Sequence, residues 1–384
     1  MADSLLLNEE QQLLRESARG FCREQAPLSL HRKLRDSRDA DGFDRDLWRR
    51  MVELGWTGMA IPEAYDGYGF GHTGLGLVLE ETGRTLVDSP LIATVLLGAN
   101  AILETGSEAQ KAELLPRIVA GELLLAFALD ERFAHDPGRI ETVAVPRNGG
   151  FALNGGKTFV LDGHVADRIV VVARIDDGTE SPANIGLFLV DATAPGLEVM
   201  RTIMVDGRNC ANIALNDVAV KVDDLLGGTA VAREALDRVL DIARIGLAAE
   251  MLGSIEEVFE RTLGFLRQRE QFGVPIGAFQ ALQHRAAEMY NEIELSRSLV
   301  RAALAALDDP ASDKCRIARL ASAAKAKLSE VFFLVSNEGI QMHGGIGMTD
   351  EFDIGFFLKR ARVAQQFLGD AGFHRDRYAA HHSF

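Results

Sequence analysis

Three regimes of hydrophobic spacing divide the chain. From about residue 5 to 125 apolar positions recur every three to four residues, as on one face of a helix. Leu13, Leu14, Ala18 and Phe21 follow Asn8, which with Gln11 has the form of a capping box. Residues 44–54 repeat the period and stop at Gly55, and Ser107 with Gln110 opens another helix over 107–122. Between them AIPEAYDGYGFG, residues 60–71, reads as a glycine-rich loop. From about 126 to 225 the period falls to two, in short β-branched runs such as DRIVVVARI and NIGLFLVD separated by Gly, Asn and Asp. From about 228 the helical period returns near 229–270, 278–307 and 313–343, with a last stretch over about 350–370. The predicted fold is α+β and multi-domain. An N-terminal all-α domain (1–125) precedes a small antiparallel β-barrel or sheet (126–225), and a C-terminal four-helix bundle (226–384) ends the chain. No internal repeat interrupts this order.

Composition narrows the function. At 384 residues the chain is too long for one core, so two or three domains are expected. The net charge of −15 argues against binding nucleic acid or anionic membrane. Cys22, Cys210 and Cys315 lie far apart with no CxxC or Cys/His cluster, which argues against zinc and disulfides and fits a reducing cytoplasm. The start MADSLLLNEEQQLLRE lacks a basic segment followed by an apolar one, so no secretory signal is expected. Apolar stretches such as Ile92 to Leu103 fall short of the ~18 residues of a membrane helix.

Two helix corners carry unusual chemistry. In LRQREQFGVPIGAFQALQH, residues 266–284, Arg269, Phe272 and Gly273 stand together, followed by Pro275, Phe279 and Gln280. A cationic fork, an aromatic face and a bendable backbone suit a ligand with phosphates and a flat ring. Alternatively, Phe272 and Phe279 plug the bundle end and Arg269 is solvated. The second corner, NEGIQMHGGIGMTDEF (337–352), ends a helix with Gln341 and then Gly344-Gly345 and Gly347. Paired glycines allow a close backbone approach to a ligand, whereas a plain helix C-cap needs one glycine. His343 there is read as structural.

With these residues in view the chain resembles the acyl-CoA dehydrogenases over essentially its whole length. The match rests on RxQFGxPIxxFQ (Arg269 to Gln280) and QxHGGxG (Gln341 to Gly347), supported by PEAYDGYG (Pro62 to Gly69) and GKTFVLDG (Gly156 to Gly163). The resemblance implies FAD, often held across a subunit interface, and hence a homo- or hetero-tetramer. By position, Arg269 would pair with the pyrophosphate and Phe272 would pack on the cofactor. Gln341, Gly344 and Gly345 would hold the adenosine part, and Phe279 and Gln280 fall at further FAD contacts. Phe159 would lie on the flavin ring, with Phe127 and Asp130 in the flavin-lining strand. Asp241 and Arg244 sit where the family meets the CoA part of the substrate. The implied reaction removes hydrogens from Cα and Cβ of an acyl-CoA, a carboxylate taking the α-proton and the flavin the hydride. An electron-transferring flavoprotein is the expected acceptor.

The sequence departs from the family where the base belongs. Leu368, in QQFLGDAG, holds the place of the usual glutamate. The alternative position, early in the first bundle helix, is Ala243, and the threonine that would face the flavin N5 is replaced by Leu161. Three explanations follow: Glu250 on the same helix face as Ala243, Asp370 two residues beyond Leu368, or a homologous partner subunit supplying the base as in the family's α2β2 branch. Rival readings of the scaffold are an acyl-CoA oxidase, a flavin monooxygenase and a non-enzymatic helical scaffold. The last leaves the two glycine corners and Phe159 unexplained.

Overall fold

The computed structural model describes residues 6–147, 149–176, 178, 184–227 and 233–382. The predicted order of helices, sheet and helices is present. The first segment holds α1 (Glu9–Gln25), α2 (Leu28–Ser37), α3 (Arg45–Glu53), α4 (Gly71–Arg84), α5 (Asn100–Thr105) and α6 (Glu108–Val119). Both predicted capping boxes form, Asn8 with Gln11 and Ser107 with Gln110. Asp44 caps α3, whose end passes into Gly55 at φ 78°. Among the described residues no helix is long and apolar enough to cross a membrane. The apolar run after Pro90 instead forms a fully buried π-turned segment, Leu91–Ala99, ahead of α5.

The strands are β1 (Leu125–Ala128), β2 (Val143–Arg147), β3 (Gly150–Leu161), β4 (Arg168–Ile175), β5 (Ile185–Asp191), β6 (Leu197–Ile203) and β7 (Asn209–Lys221). They form one sheet in the order β1-β4-β2-β3-β7-β6, with β5 also on β4. It is mixed: β1 and β2 each run parallel to β4, and the other pairs are antiparallel. Leu153, Val171, Phe188 and Ile213 lie in its core.

The last segment contains α7 (Arg233–Gln268), the short strands β8 (Glu270–Gln271) and β9 (Val274–Pro275), and then α8 (Gln280–Asp308), α9 (Lys314–His343), α10 (Ile354–Gln366) and α11 (Ala371–Ala380). The expected helix start at 229 lies outside the described residues. The final predicted stretch, about 350–370, holds α10, which stops before Leu368; beyond it Asp370 caps a further helix, α11, by accepting from the Phe373 amide.

Packing divides the chain into two compact units. One comprises Leu34–Gly71 and Asp88–Ala243 and contains the sheet. The other joins Met1–Lys33 and His72–Val87 to Arg244–Phe384. In the second unit α4 packs on the C-terminal helices through ions as well as apolar contacts. Arg301 donates to Glu80 at 2.6 Å, Arg84 binds Glu256 and Glu260, and Arg19 binds Glu81. Burial and the surrounding carboxylates push the Glu80 carboxyl up to about 7, with Arg301 opposing.

Candidate functional site

In the helical unit the two predicted corners meet. The chain leaves α7 at Gln268 and makes a hairpin, β8 to β9, whose central residues Phe272 and Gly273 have φ of 55° and 79°. Two positive φ values define a tight turn of the kind glycine and asparagine favour. A phenylalanine there is costly, and Phe272 recovers little by packing. It is 93% exposed and touches Phe279 edge-on at 6.1 Å. Phe279 caps the start of α8, as the sequence predicted, and Arg269, Phe279 and Gln280 are exposed. The second corner ends α9 at His343, with Gly344 at φ 65°. A Cβ added at Gly344 or Gly345 would meet nothing within 4 Å, so an open cradle borders the exposed Gln341. Phe265, one turn before Arg269, stacks on His343 at 4.4 Å and joins the corners. His343 is buried and its Nδ1 lies 2.6 Å from the Gly339 carbonyl, a structural role.

In the sheet unit the remaining expected cofactor residues are also gathered. Phe127 is buried on β1, and the Thr158 amide donates to the Asp130 carbonyl at 2.7 Å, which places Asp130 beside Phe159. Phe159 sits in a bulge of β3 at φ 52°, 41% exposed. Such strain on an exposed aromatic is characteristic of a ligand site. Beneath it Lys157 is buried and held by Glu131 at 2.7 Å and the Leu129 carbonyl at 3.0 Å. Asp130 in turn holds His135 Nδ1 at 2.9 Å. Leu161 is buried and apolar.

The candidate bases are all engaged. Glu250 is buried, with its carboxylate 3.9 Å from the Arg360 guanidinium. Asp370 spends its carboxylate on the cap of α11. Ala243 and Leu368 are buried and apolar. Asp241 and Arg244 are 3% and 0% exposed. The Arg244 side chain faces inward, donating through Nε to the Leu368 carbonyl at 3.3 Å. Sequence reasoning missed two more groups at this turn, Lys325 and His374, both fully buried. The available signal was a lysine in line with Ala321 and Ser329, on the inner face of α9.

The helical unit thus offers an exposed Arg269 and an open glycine cradle, and the sheet unit a strained, exposed aromatic at Phe159. The chain belongs to the acyl-CoA dehydrogenase family. Residues 8–122, 128–218 and 227–382 match the family's N-terminal, middle and C-terminal domain models. It is 31% identical over 94% of its length, and 94% of the relative's, to the probable acyl-CoA dehydrogenase YngJ of Bacillus subtilis. The Tcur3481–Tcur3483 steroid ACAD superposes with a TM-score of 0.86 at 34% identity, covering 98% of each chain. The ChsE4–ChsE5 complex from Mycobacterium tuberculosis gives a TM-score of 0.88 at 26% identity, covering 99% of each. The chain is thus an FAD-dependent oxidoreductase of acyl-CoA thioesters. Its open glycine cradle leaves room for a close backbone approach, and the exposed Arg269 and Gln341 offer a cation and an amide of the kind a dinucleotide needs.

Proposed function

We propose that this chain is the FAD-binding subunit, without a base of its own, of a two-component α2β2 acyl-CoA dehydrogenase, joined to a homologous chain that supplies the carboxylate. The observation that carries this reading is Leu368, a buried leucine at the family's base position. Glu250 does not take its place, because a carboxylate paired with Arg360 in the interior is costly to detach. Two of the structurally similar proteins, the Tcur3481–Tcur3483 enzyme and the ChsE4–ChsE5 complex, each bear the names of two chains.

In this assembly Arg269 binds the pyrophosphate, Gln341, Gly344 and Gly345 border the adenosine, and Phe272, Phe279 and Gln280 extend the grip. Phe159 would cover the ring, with Phe127 on β1 and Asp130 two residues past that strand's end. FAD held there would supply the hydride acceptor for Cβ of the acyl-CoA, with an electron-transferring flavoprotein as the onward acceptor. The partner's carboxylate takes the α-proton. Asp241 and Arg244 serve the substrate side, Arg244 through the turn it holds.

Expressed alone and loaded with FAD, the chain should bleach at least ~10²–10⁴-fold more slowly with acyl-CoAs than the mixed assembly. Co-expression with a homologous chain bearing the carboxylate should restore reduction. Brisk reduction by the lone chain that survives both Glu250→Gln and Asp370→Asn overturns the reading.

A further inference from the structure

The turn between α10 and α11 is built more heavily than a helix connection requires. Leu368 and Gly369 have φ of 60° and 102°. A left-handed leucine carries a strain that glycine would not. Its backbone is gripped by buried side chains from three helices. Arg244 on α7 and His374 on α11 both donate to the Leu368 carbonyl, at 3.3 and 3.0 Å. Lys325 on α9 donates to the carbonyls of Gly369 (2.8 Å) and Gln365 (3.2 Å) and to Ser329 Oγ (3.1 Å). All three residues are 0% exposed.

Burying these groups is expensive. Burial, with Arg244 nearby, pushes the Lys325 ammonium down to about 7, and burial with Arg244 and Lys325 pushes His374 down to about 2. His374 Nδ1 has no hydrogen-bond partner, so the neutral ring donates through Nε2. The Asp370 cap already starts α11 without their help. What the clamp adds is a fixed direction for one side chain, that of residue 368.

We infer that Arg244, Lys325 and His374 are positioning residues for residue 368, and that they form a carboxylate holder in which leucine now stands. Leu368→Glu would give this chain its own proton acceptor. The inference rests on the reading that the chain lacks a base. In the step so restored, the Cα–H bond of the acyl-CoA breaks, the proton goes to the Glu carboxylate and the electron pair remains as thioester enolate. The charged and titratable groups around the turn are Arg244, Lys325, Asp370, His374 and Arg377. The cations among them favour an ionised carboxylate.

The test uses the FAD-loaded chain alone and a 3-thia-acyl-CoA, which can lose its α-proton but has no β-hydride to give. Enolate formation against the flavin then appears as long-wavelength absorption. Wild type and Leu368→Gln should show none, and Leu368→Glu should form the band at least ~10²-fold faster. In Leu368→Glu with Lys325→Met the band should need a higher pH. In the native background, Lys325→Met and His374→Gln should speed amide exchange at residues 367–370 at least ~10-fold, leaving α8 unchanged. The exchange reads the clamp even where Leu368→Glu fails to fold. A folded, FAD-loaded Leu368→Glu without the band between about pH 6 and 9 overturns the inference, as does exchange untouched by Lys325→Met. A chain that holds no FAD, or a wild type that forms the band, instead overturns the parent reading.

Discussion

Gly253 on α7 leaves no room against Glu80 on α4: a Cβ at 253 would stand 1.7 Å from the Glu80 carbonyl oxygen. The contact is reciprocal, since a Cβ at Gly83 would stand 2.0 Å from the Glu250 carbonyl oxygen. The two helices therefore cross backbone to backbone, and neither can yield by turning a side chain. Gly253→Ala should destabilise the protein by at least the ~1–3 kcal/mol of ordinary overpacking. Urea unfolding followed by circular dichroism checks this, and an unshifted midpoint would remove the crossing from the account of stability.

Arg269→Ala should remove a charge-assisted contact of roughly 1.5–3 kcal/mol. That corresponds to FAD affinity lower by about 10- to 150-fold. Titration of the apoprotein with FAD measures it. Full occupancy at wild-type affinity would take Arg269 out of the site.

Phe272 is kept in a conformation it dislikes while touching little of its own chain. Phe272→Asn should raise the melting temperature of the isolated apoprotein slightly, by relief of up to about 1 kcal/mol. It should at the same time weaken FAD binding. A variant that is both less stable and unchanged in affinity would show that Phe272 serves the fold alone.

Stability should depend on pH through opposing groups. Burial first, then Arg244 and Lys325, lowers His374 to about 2. Burial also lowers His164 and His343. The unfolded chain protonates these rings below about 6.5 while the folded chain does not, so their contribution is present above that pH and is lost as pH falls. Glu80 acts the other way. Its folded value, raised by burial to about 7, adds stability that is lost as pH rises from 4.5 to 7. His374→Gln should flatten the acid loss between pH 6.5 and 4.5, and Glu80→Gln should steepen it. Each slope should change by up to ~1.4 kcal/mol per pH unit. Urea midpoints across the range test both signs.

Much of this was legible in local sequence. Asn8 with Gln11, Ser107 with Gln110 and the stop at Gly55 are local devices, and each stands where its pattern placed it. The two glycine corners were visible because their composition exceeded what a turn or cap needs. Long-range features were hidden. Nothing near β1 announces that it runs parallel to β4, forty residues on. The ion pair of Glu80 with Arg301 joins residues 221 apart, and Lys325 looks like any lysine of an amphipathic helix until α10 and α11 close over it. The sequence displays the ring of Phe272. Its left-handed backbone follows from the hairpin, which the pattern of a helix corner concealed.

The placement of α4 also sets an order on biosynthesis. Its docking site is formed by residues 244 onward, so a helix completed early must wait for more than half of the chain to emerge. During that wait the surface it will press against α7 and α8 is uncovered. Glu80 and Arg84 stay hydrated and keep the nascent segment in solution. Glu81 can pair early with Arg19, but Glu80 and Arg84 exchange water for Arg301 and Glu256 only when those residues arrive. Ions that look like an expensive way to fill an interior thus act first as a solubility device for an unfinished polypeptide. Apolar substitutes at 80 and 84 would reveal themselves in aggregation during synthesis before any effect on the finished fold.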